Sequence, residues 1–191
     1  GLGTDSGIKK VLDNWYRDNL ATNYGDMIDG NAGFCGDREP STSSLTSNGS
    51  GGTGTTTTYY GAYIRLYGNN KAPTFECEND SDLYTTSGSS QGNKALTYPI
   101  GLIAADEVAY AGGVVGNSNG SYYLYTTSVY WTISSDWFGV GRANVFVVNS
   151  IGGLSSGNVN DTYGVRPVIN LKANVTITGG SGSSSNPYVI S

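Results

Sequence analysis

Few side chains in this 191-residue chain are suited to catalysis. There is no histidine, so the commonest general acid–base group and the commonest metal ligand are both missing. Neither a Ser-His-Asp nor a Cys-His nucleophile system can be assembled without it. The two cysteines, Cys35 and Cys77, are too widely spaced for a CxxC redox pair. An even count, in a chain rich in Tyr, Ser, Thr, Gly and Asn, points to one disulfide in an extracellular domain; two free thiols in a cytosolic protein are the alternative. The densest acidic run, Glu76 to Asp82 (ECENDSD), suggests calcium at first sight. It lacks the glycine at the sixth position and the glutamate at the twelfth that an EF-hand loop needs, so a solvated acidic loop is expected, and no metal or cofactor.

The remaining chemistry is recognition. The stretch from Val129 to Leu171 opens on a strand-like run, Tyr130 to Ile133, and closes on another, Val165 to Leu171. Between them large side chains, Trp137, Val140, Val148, Ile151 and Tyr163, are scattered among small and polar residues with no clean period. Two firm ends around an aperiodic middle predict a scaffold holding a displayed surface.

Composition narrows the partners. Charged residues make up 13% of the chain, the net charge is −5, and the ten Lys and Arg form no run. Nucleic acid and anionic membranes favour clustered basic side chains, so neither is expected as a partner. No stretch approaches the roughly 18 apolar residues of a membrane span. No charged-then-apolar leader precedes the chain, which begins at Gly1, so any leader or anchor is expected to be absent from this fragment.

The elements that would position the surface read as one α+β domain over residues 1–191. Ile8, Val11, Leu12, Trp15, Tyr16 and Leu20 recur at helical spacing, which predicts a long first helix with Trp15 in the core. Thr4, Asp5 or Ser6 would cap its start, and a left-handed Gly25 would end it. Residues 41–58 (STSSLTSNGSGGTGTTTT) predict a flexible low-complexity loop. Tyr59 to Tyr67 alternates and predicts a half-buried strand. Further strands are expected at 98–103, 122–126, 129–133, 143–149 and 165–171, with Pro167 at an edge or bulge. A short helix is expected over 104–111, ended by Gly112-Gly113, and a closing hairpin joins 175–178 to 188–190.

Four tracts in order, YPIGLIAADEVAYAGG (98–113), YYLYTTSVYWTIS (122–134), GVRPVINL (164–171) and NPYVI (186–190), resemble a family of bacterial C-type-lectin-like domains. FCGDR (34–38) and the opening helix add a weaker likeness, and the direct resemblance covers about half the chain. The family includes the variable proteins of diversity-generating retroelements, in which a reverse transcriptase miscopies template adenines and rewrites the 3′ part of a target gene. The resemblance implies a lectin-type fold at a bacterial cell surface or on a phage particle. It also implies a non-catalytic role, with an unidentified protein or cell-surface molecule as ligand and residues 129–171 as the displayed variable region.

The adenine rule can be checked against residue types. Altering the two adenines of an Asn codon gives Ser, Gly, Asp, Tyr, Ile, Val, Ala, Thr, Arg or Phe, among others, and cannot give Lys, Glu, Gln, Met or Trp. From Val108 to Leu171 the chain has no Lys, Glu, Gln or Met. Asp136, Val140, Arg142, Val148, Ile151, Gly153, Ser155, Ser156, Gly157, Asp161 and Tyr163 are all reachable, and the last ten sit among the asparagines 144, 149, 158 and 160. Together with Trp137, a fixed aromatic platform at the edge, they are the expected ligand-contacting residues. Trp131 is unreachable and is expected to be scaffold.

Three other readings share parts of this pattern. Formylglycine-generating enzymes have a related fold but place their active-site cysteines near the C-terminal end, whereas both cysteines here lie early. Calcium-dependent lectins use Glu-Pro-Asn and Trp-Asn-Asp triplets; Glu39-Pro40-Ser41 is a near miss at the wrong end, and the second triplet is absent. A fixed adhesin, pilus or phage-fibre tip would share the fold without variable residues.

Overall fold

The computed structural model describes residues 5–41, 57–67, 71–139, 141–183 and 185–191. The expected loop over 41–58 therefore lies outside the described residues from 42 to 56, as do Thr4 and Val140. Among the described residues no helix is long and apolar enough to cross a membrane.

Helix α1 (Gly7–Asn19) begins where a polar side chain can satisfy an orphan amide: the Ser6 hydroxyl accepts from the Lys9 N–H at 3.1 Å. Its buried stripe is narrower than the periodicity predicts. Leu12 and Tyr16 are buried, with Ile8 and Leu20 packed beside them, but Trp15 is 42% exposed and is not a core residue. The helix also does not end on a left-handed Gly25. The chain turns through α2 (Ala21–Tyr24) into a 3-10 turn, where Gly25 keeps a right-handed φ of −55°.

The strand expected over Tyr59 to Tyr67 is replaced by a two-residue strand, β2 (Thr58–Tyr59), and a helix, α3 (Gly61–Tyr67). Ala62 and Leu66, four residues apart, are buried beneath the helix, a spacing that alternation and helical periodicity both permit. Tyr59, Tyr63 and Tyr67 then form a ladder, with ring centroids 4.3 and 4.4 Å apart. Helix α4 (Ala105–Ala111) agrees with expectation. The Glu107 carboxylate accepts from the Ala104 N–H at 2.7 Å, and Gly112 at φ 119° closes the helix in a conformation that other residues adopt only with strain.

The central sheet is antiparallel, in the order β2-β4-β5-β6, with β4 (Tyr130–Gly139), β5 (Arg142–Val148) and β6 (Leu154–Asn158). The expected runs at 129–133 and 143–149 are both here. The aperiodic middle of the expected displayed region is itself largely sheet: β4 continues to Gly139, and β6 has no counterpart among the expected elements. The segments 98–103, 122–126 and 165–171 form no extended strands; single bridges from Gly101 to Val168 and from Ile28 to Leu171 hold two of them in place. Pro167 sits in this irregular stretch, where its missing N–H costs nothing. The closing hairpin is present as β7 (Ile177–Gly179) and β8 (Val189–Ile190).

Hydrophobic cores lie on both faces of the sheet. One packs Ala62, Leu66, Ala105 and Val108 from α3 and α4 against Tyr130, Phe146, Val148 and Leu154. The other packs Leu12, Tyr16, Ile28, Ile100 and Leu102 against Trp131 and Val147. A smaller pair, β1 (Phe34–Cys35) and β3 (Leu83–Tyr84), carries the Cys35–Cys77 disulfide, with an S–S distance of 2.05 Å. The acidic loop beside it is not uniformly solvated. Asp82 is buried and accepts from the Arg38 backbone N–H at 2.6 Å and from Arg38 Nε at 2.8 Å. No group of three candidate metal ligands occurs among the described residues.

Candidate functional site

Pairing between β4 and β5 is regular at Trp131–Val147 and then slips twice, to Ser135–Val145 and Trp137–Asn144. The extra residues of β4 form bulges, which re-aim a strand end. Trp137 consequently lies on the same sheet face as Asn144, with Ser156 and Asn158 of β6 next to it. Tyr59 of β2 is the cross-strand partner of Trp137. Its ring starts the tyrosine ladder that runs through Tyr63 to the partly exposed Tyr67.

The polar side chains here form a connected group. With the Asn144 amide oriented so that every partner is satisfied, its oxygen accepts from the Ser156 hydroxyl at 2.7 Å and from the Trp137 indole N–H at 3.2 Å. Its nitrogen donates to Asn158 Oδ1 at 2.9 Å. Asp136 sits beneath this network and is fully buried, and neither carboxylate oxygen has a hydrogen-bond partner. Burial pushes its pKa up to about 6, with the nearby Ser156 hydroxyl acting in the opposite direction. One hydroxyl proton cannot serve both Asn144 and Asp136, and the Asn144 bond leaves the carboxyl without a donor. The carboxylate in turn helps burial raise the Tyr63 and Tyr67 pKa values.

The predicted site residues divide into three groups. Asp136, Trp137, Arg142 and Ser156 converge at the end of the sheet where β4 meets β5, with exposed Asp161 following β6. Ile151 and Gly153 belong to the turn at the opposite end, about 20 Å away across the length of β5. Ile151 is 54% exposed there, but Gly153 is buried, and a Cβ at 153 would meet the Asn117 carbonyl oxygen at 2.3 Å. Both the Ile151 and Gly153 amides donate to Asn149 Oδ1, at 3.1 and 2.9 Å, so this turn is tied internally.

The third group faces the opposite side or the core. Val148 is a fully buried core residue and cannot touch a ligand. Ser155 and Gly157 point to the Trp131 side of the sheet, where Gly157 leaves room for the rings of Tyr163 and Trp131. Tyr163 is a half-buried packing residue, not an exposed anchor. Its ring lies 4.8 Å from that of Trp131, and its hydroxyl donates to Asp161 Oδ2 at 3.0 Å.

Five residues of the converged end are absent from the predicted set. Asn144 and Asn158 sit among the adenine-reachable positions, unaltered. Tyr59, Tyr63 and Tyr67 were hidden by the strand assignment, although their four-residue spacing is the signal of a helical stripe.

Two clefts lie elsewhere. One of about 160 Å³ beside the disulfide contains Arg65, Asp37 and Asp106. Arg65 is bidentate to Asp106, at 2.9 Å for both bonds, and also pairs with Asp37. Burial raises the Asp37 pKa, Arg65 opposes it, and Asp106 and Glu78 reinforce it. Arg65 thus ties the two carboxylates together inside the cleft. The second cleft is apolar, between Leu20, Tyr24, Met27, Ile28, Ile169, Leu171 and Ile190. Comparison of the chain with protein-family models, with curated proteins and with solved structures finds no match.

Proposed function

We propose that this chain is a non-catalytic, externally displayed binding domain of the C-type-lectin-like class, whose recognition face is the Trp137–Asn144–Ser156–Asn158 end of the central sheet. Contact residues on that face are diversified by adenine-directed retroelement mutagenesis. The observation that carries this is convergence: three separate strands bring Asp136, Arg142, Asn144, Ser156 and Asn158, each an asparagine or a residue one adenine-altered codon away, to one place. Adjacent fixed aromatics, Trp137 and Tyr67, supply area of the kind that dominates binding energy. The doubly packed sheet beneath orders the face before any ligand arrives, which lowers the entropic cost of association.

The site set is accordingly revised from the sequence reading. Val148 leaves it because it packs in the hydrophobic core, Gly153 because it lies in the turn at the opposite end, and Gly157 because it faces the Trp131 side; Asn144 and Asn158 enter it. Sequencing the 3′ part of the gene and its flanking DNA tests the proposal. It requires a nearby near-repeat of codons 129–171 that differs only at adenines, beside a reverse transcriptase gene. Differences should fall on codons 136, 142, 144, 156 and 158 and spare 131, 146 and 148. Identical copies with no repeat would reduce the protein to a fixed adhesin or fibre-tip domain.

A further inference from the structure

Among the described residues, Asp136 is the one buried acid with no hydrogen-bond partner for its carboxyl. A fully buried carboxyl with no donor to either oxygen is costly, and native structures pair such groups as a rule. Among the described residues no Lys or Arg pairs with it, and burial is the main influence on its charge state. Aromatic residues lie close by: Tyr59 is the cross-strand partner of Trp137, and the Tyr60 N–H donates to the Asp136 backbone carbonyl at 3.2 Å. Tyr63 and Tyr67 of α3 feel its charge, Tyr59 stacks on Tyr63, and Trp137 reaches the same Ser156. A carboxylate floor under aromatic rings is the chemistry that receives a cation: the anion supplies the charge partner and the ring faces supply cation–π attraction.

We propose that Asp136 and the rings of Tyr59, Tyr63, Tyr67 and Trp137 form a receptor for the ammonium group of a lysine side chain presented by a protein ligand. This rests on the reading of the sheet end as the binding face and adds the ligand's anchoring group. The carboxyl is covered in the unliganded protein, so the entering group has to be slender. An ammonium on a four-carbon stem fits that requirement, while a planar guanidinium needs a wider opening. Tyr67, 39% exposed, is the most exposed ring of the ladder and the one that would have to move to admit the ammonium. The stem then packs against the tyrosine rings, and the ammonium supplies the donors that both Asp136 oxygens lack.

The test uses the full chain and two probes, Nα-acetyl-lysine methylamide and its neutral Nε-acetylated counterpart, with the Trp137 indole N–H resonance as reporter. The lysine probe should shift that resonance saturably at pH 7.5, and the neutral probe should bind about tenfold more weakly or worse. Asp136→Asn should weaken the lysine probe to the level of the neutral one while melting no lower than the parent protein. Equal binding of the two probes, or unchanged lysine binding by Asp136→Asn, would overturn the ammonium receptor and leave the binding face standing. Loss of the fold in Asp136→Asn would show that the carboxyl already has a partner, and the inference would fall. If neither probe shifts the indole, the receptor is likewise overturned, and the binding face is then judged by its codon pattern alone.

Discussion

In the half of the molecule tied by the disulfide, Asp82 and Asp106 are buried and each is met by an arginine and a backbone amide. Arg38 Nε and its own N–H serve Asp82; Arg65 and the Thr74 N–H serve Asp106. At the end of the central sheet Asp136 is as deeply buried and is met by no donor. Burial costs a carboxylate the same hydration in either place, so the difference lies in what each environment has been fitted to. The first region is matched to its charges as a scaffold must be. The second tolerates a mismatch, as a position does when its residue is set by something other than the stability of the fold.

Removing the matched cation should have the largest effect. Arg65→Met strips Asp106 of both side-chain bonds and leaves Asp37 and Asp106 buried beside each other, so a loss of about 3–5 kcal/mol in denaturant unfolding is expected. Asp136→Asn, a change of charge at equal burial, should cost nothing or raise stability. A loss below about 1 kcal/mol for Arg65→Met, or above it for Asp136→Asn, would erase the contrast between the two regions.

A pH titration sharpens the same contrast. The folded pKa of Asp136, about 6, stands above its ordinary value of 3.8, so the folded state holds the proton more tightly than the unfolded chain does. The stability gained from protonation is therefore complete below about pH 4 and is lost as pH rises through 6, a change on the order of 2–3 kcal/mol. Asp37 is shifted in the same direction, but it is common to both proteins and cancels when Asp136→Asn is compared with the parent. The variant should match the parent near pH 4 and exceed it at pH 7. Parallel stability curves across that range would mean that Asp136 carries no raised pKa.

The sequence made some of this legible and hid the rest for identifiable reasons. Both central strands, the short helix with its Gly112 stop, the closing hairpin and the disulfide follow from local signals: β-branched and aromatic runs, a glycine at a left-handed position, an even cysteine count. Residues 59–67 misled because Ala62 and Leu66 satisfy two periods at once. Strand β6, with the sequence Leu154-Ser155-Ser156-Gly157-Asn158, carries one large apolar residue and no β-branched one, so it gives no propensity signal. It is a strand because β5 supplies a ladder for it, a tertiary cause that local pattern cannot report. The β4 bulges are equally silent in the sequence, yet they put Trp137 on the Asn144 face and define the candidate site.

The smallest effects separate exposure from packing among the predicted contacts. Ile151 and Tyr163 look alike in the sequence, each a large side chain among small ones. Ile151 stands half-exposed on a turn held by its backbone and by Asn149, so Ile151→Asn should change stability by less than about 0.5 kcal/mol. Tyr163 covers Gly157 and the Trp131 ring, and Tyr163→Asn removes that aromatic contact from the core built on Trp131, at about 1–2 kcal/mol. Ile151 also lies about 20 Å from the Trp137 end, so its replacement should leave binding at that face unchanged. If Ile151→Asn abolished ligand binding while keeping the parent melting temperature, the recognition face would belong to the 149–153 turn and the Asp136 end would be its support.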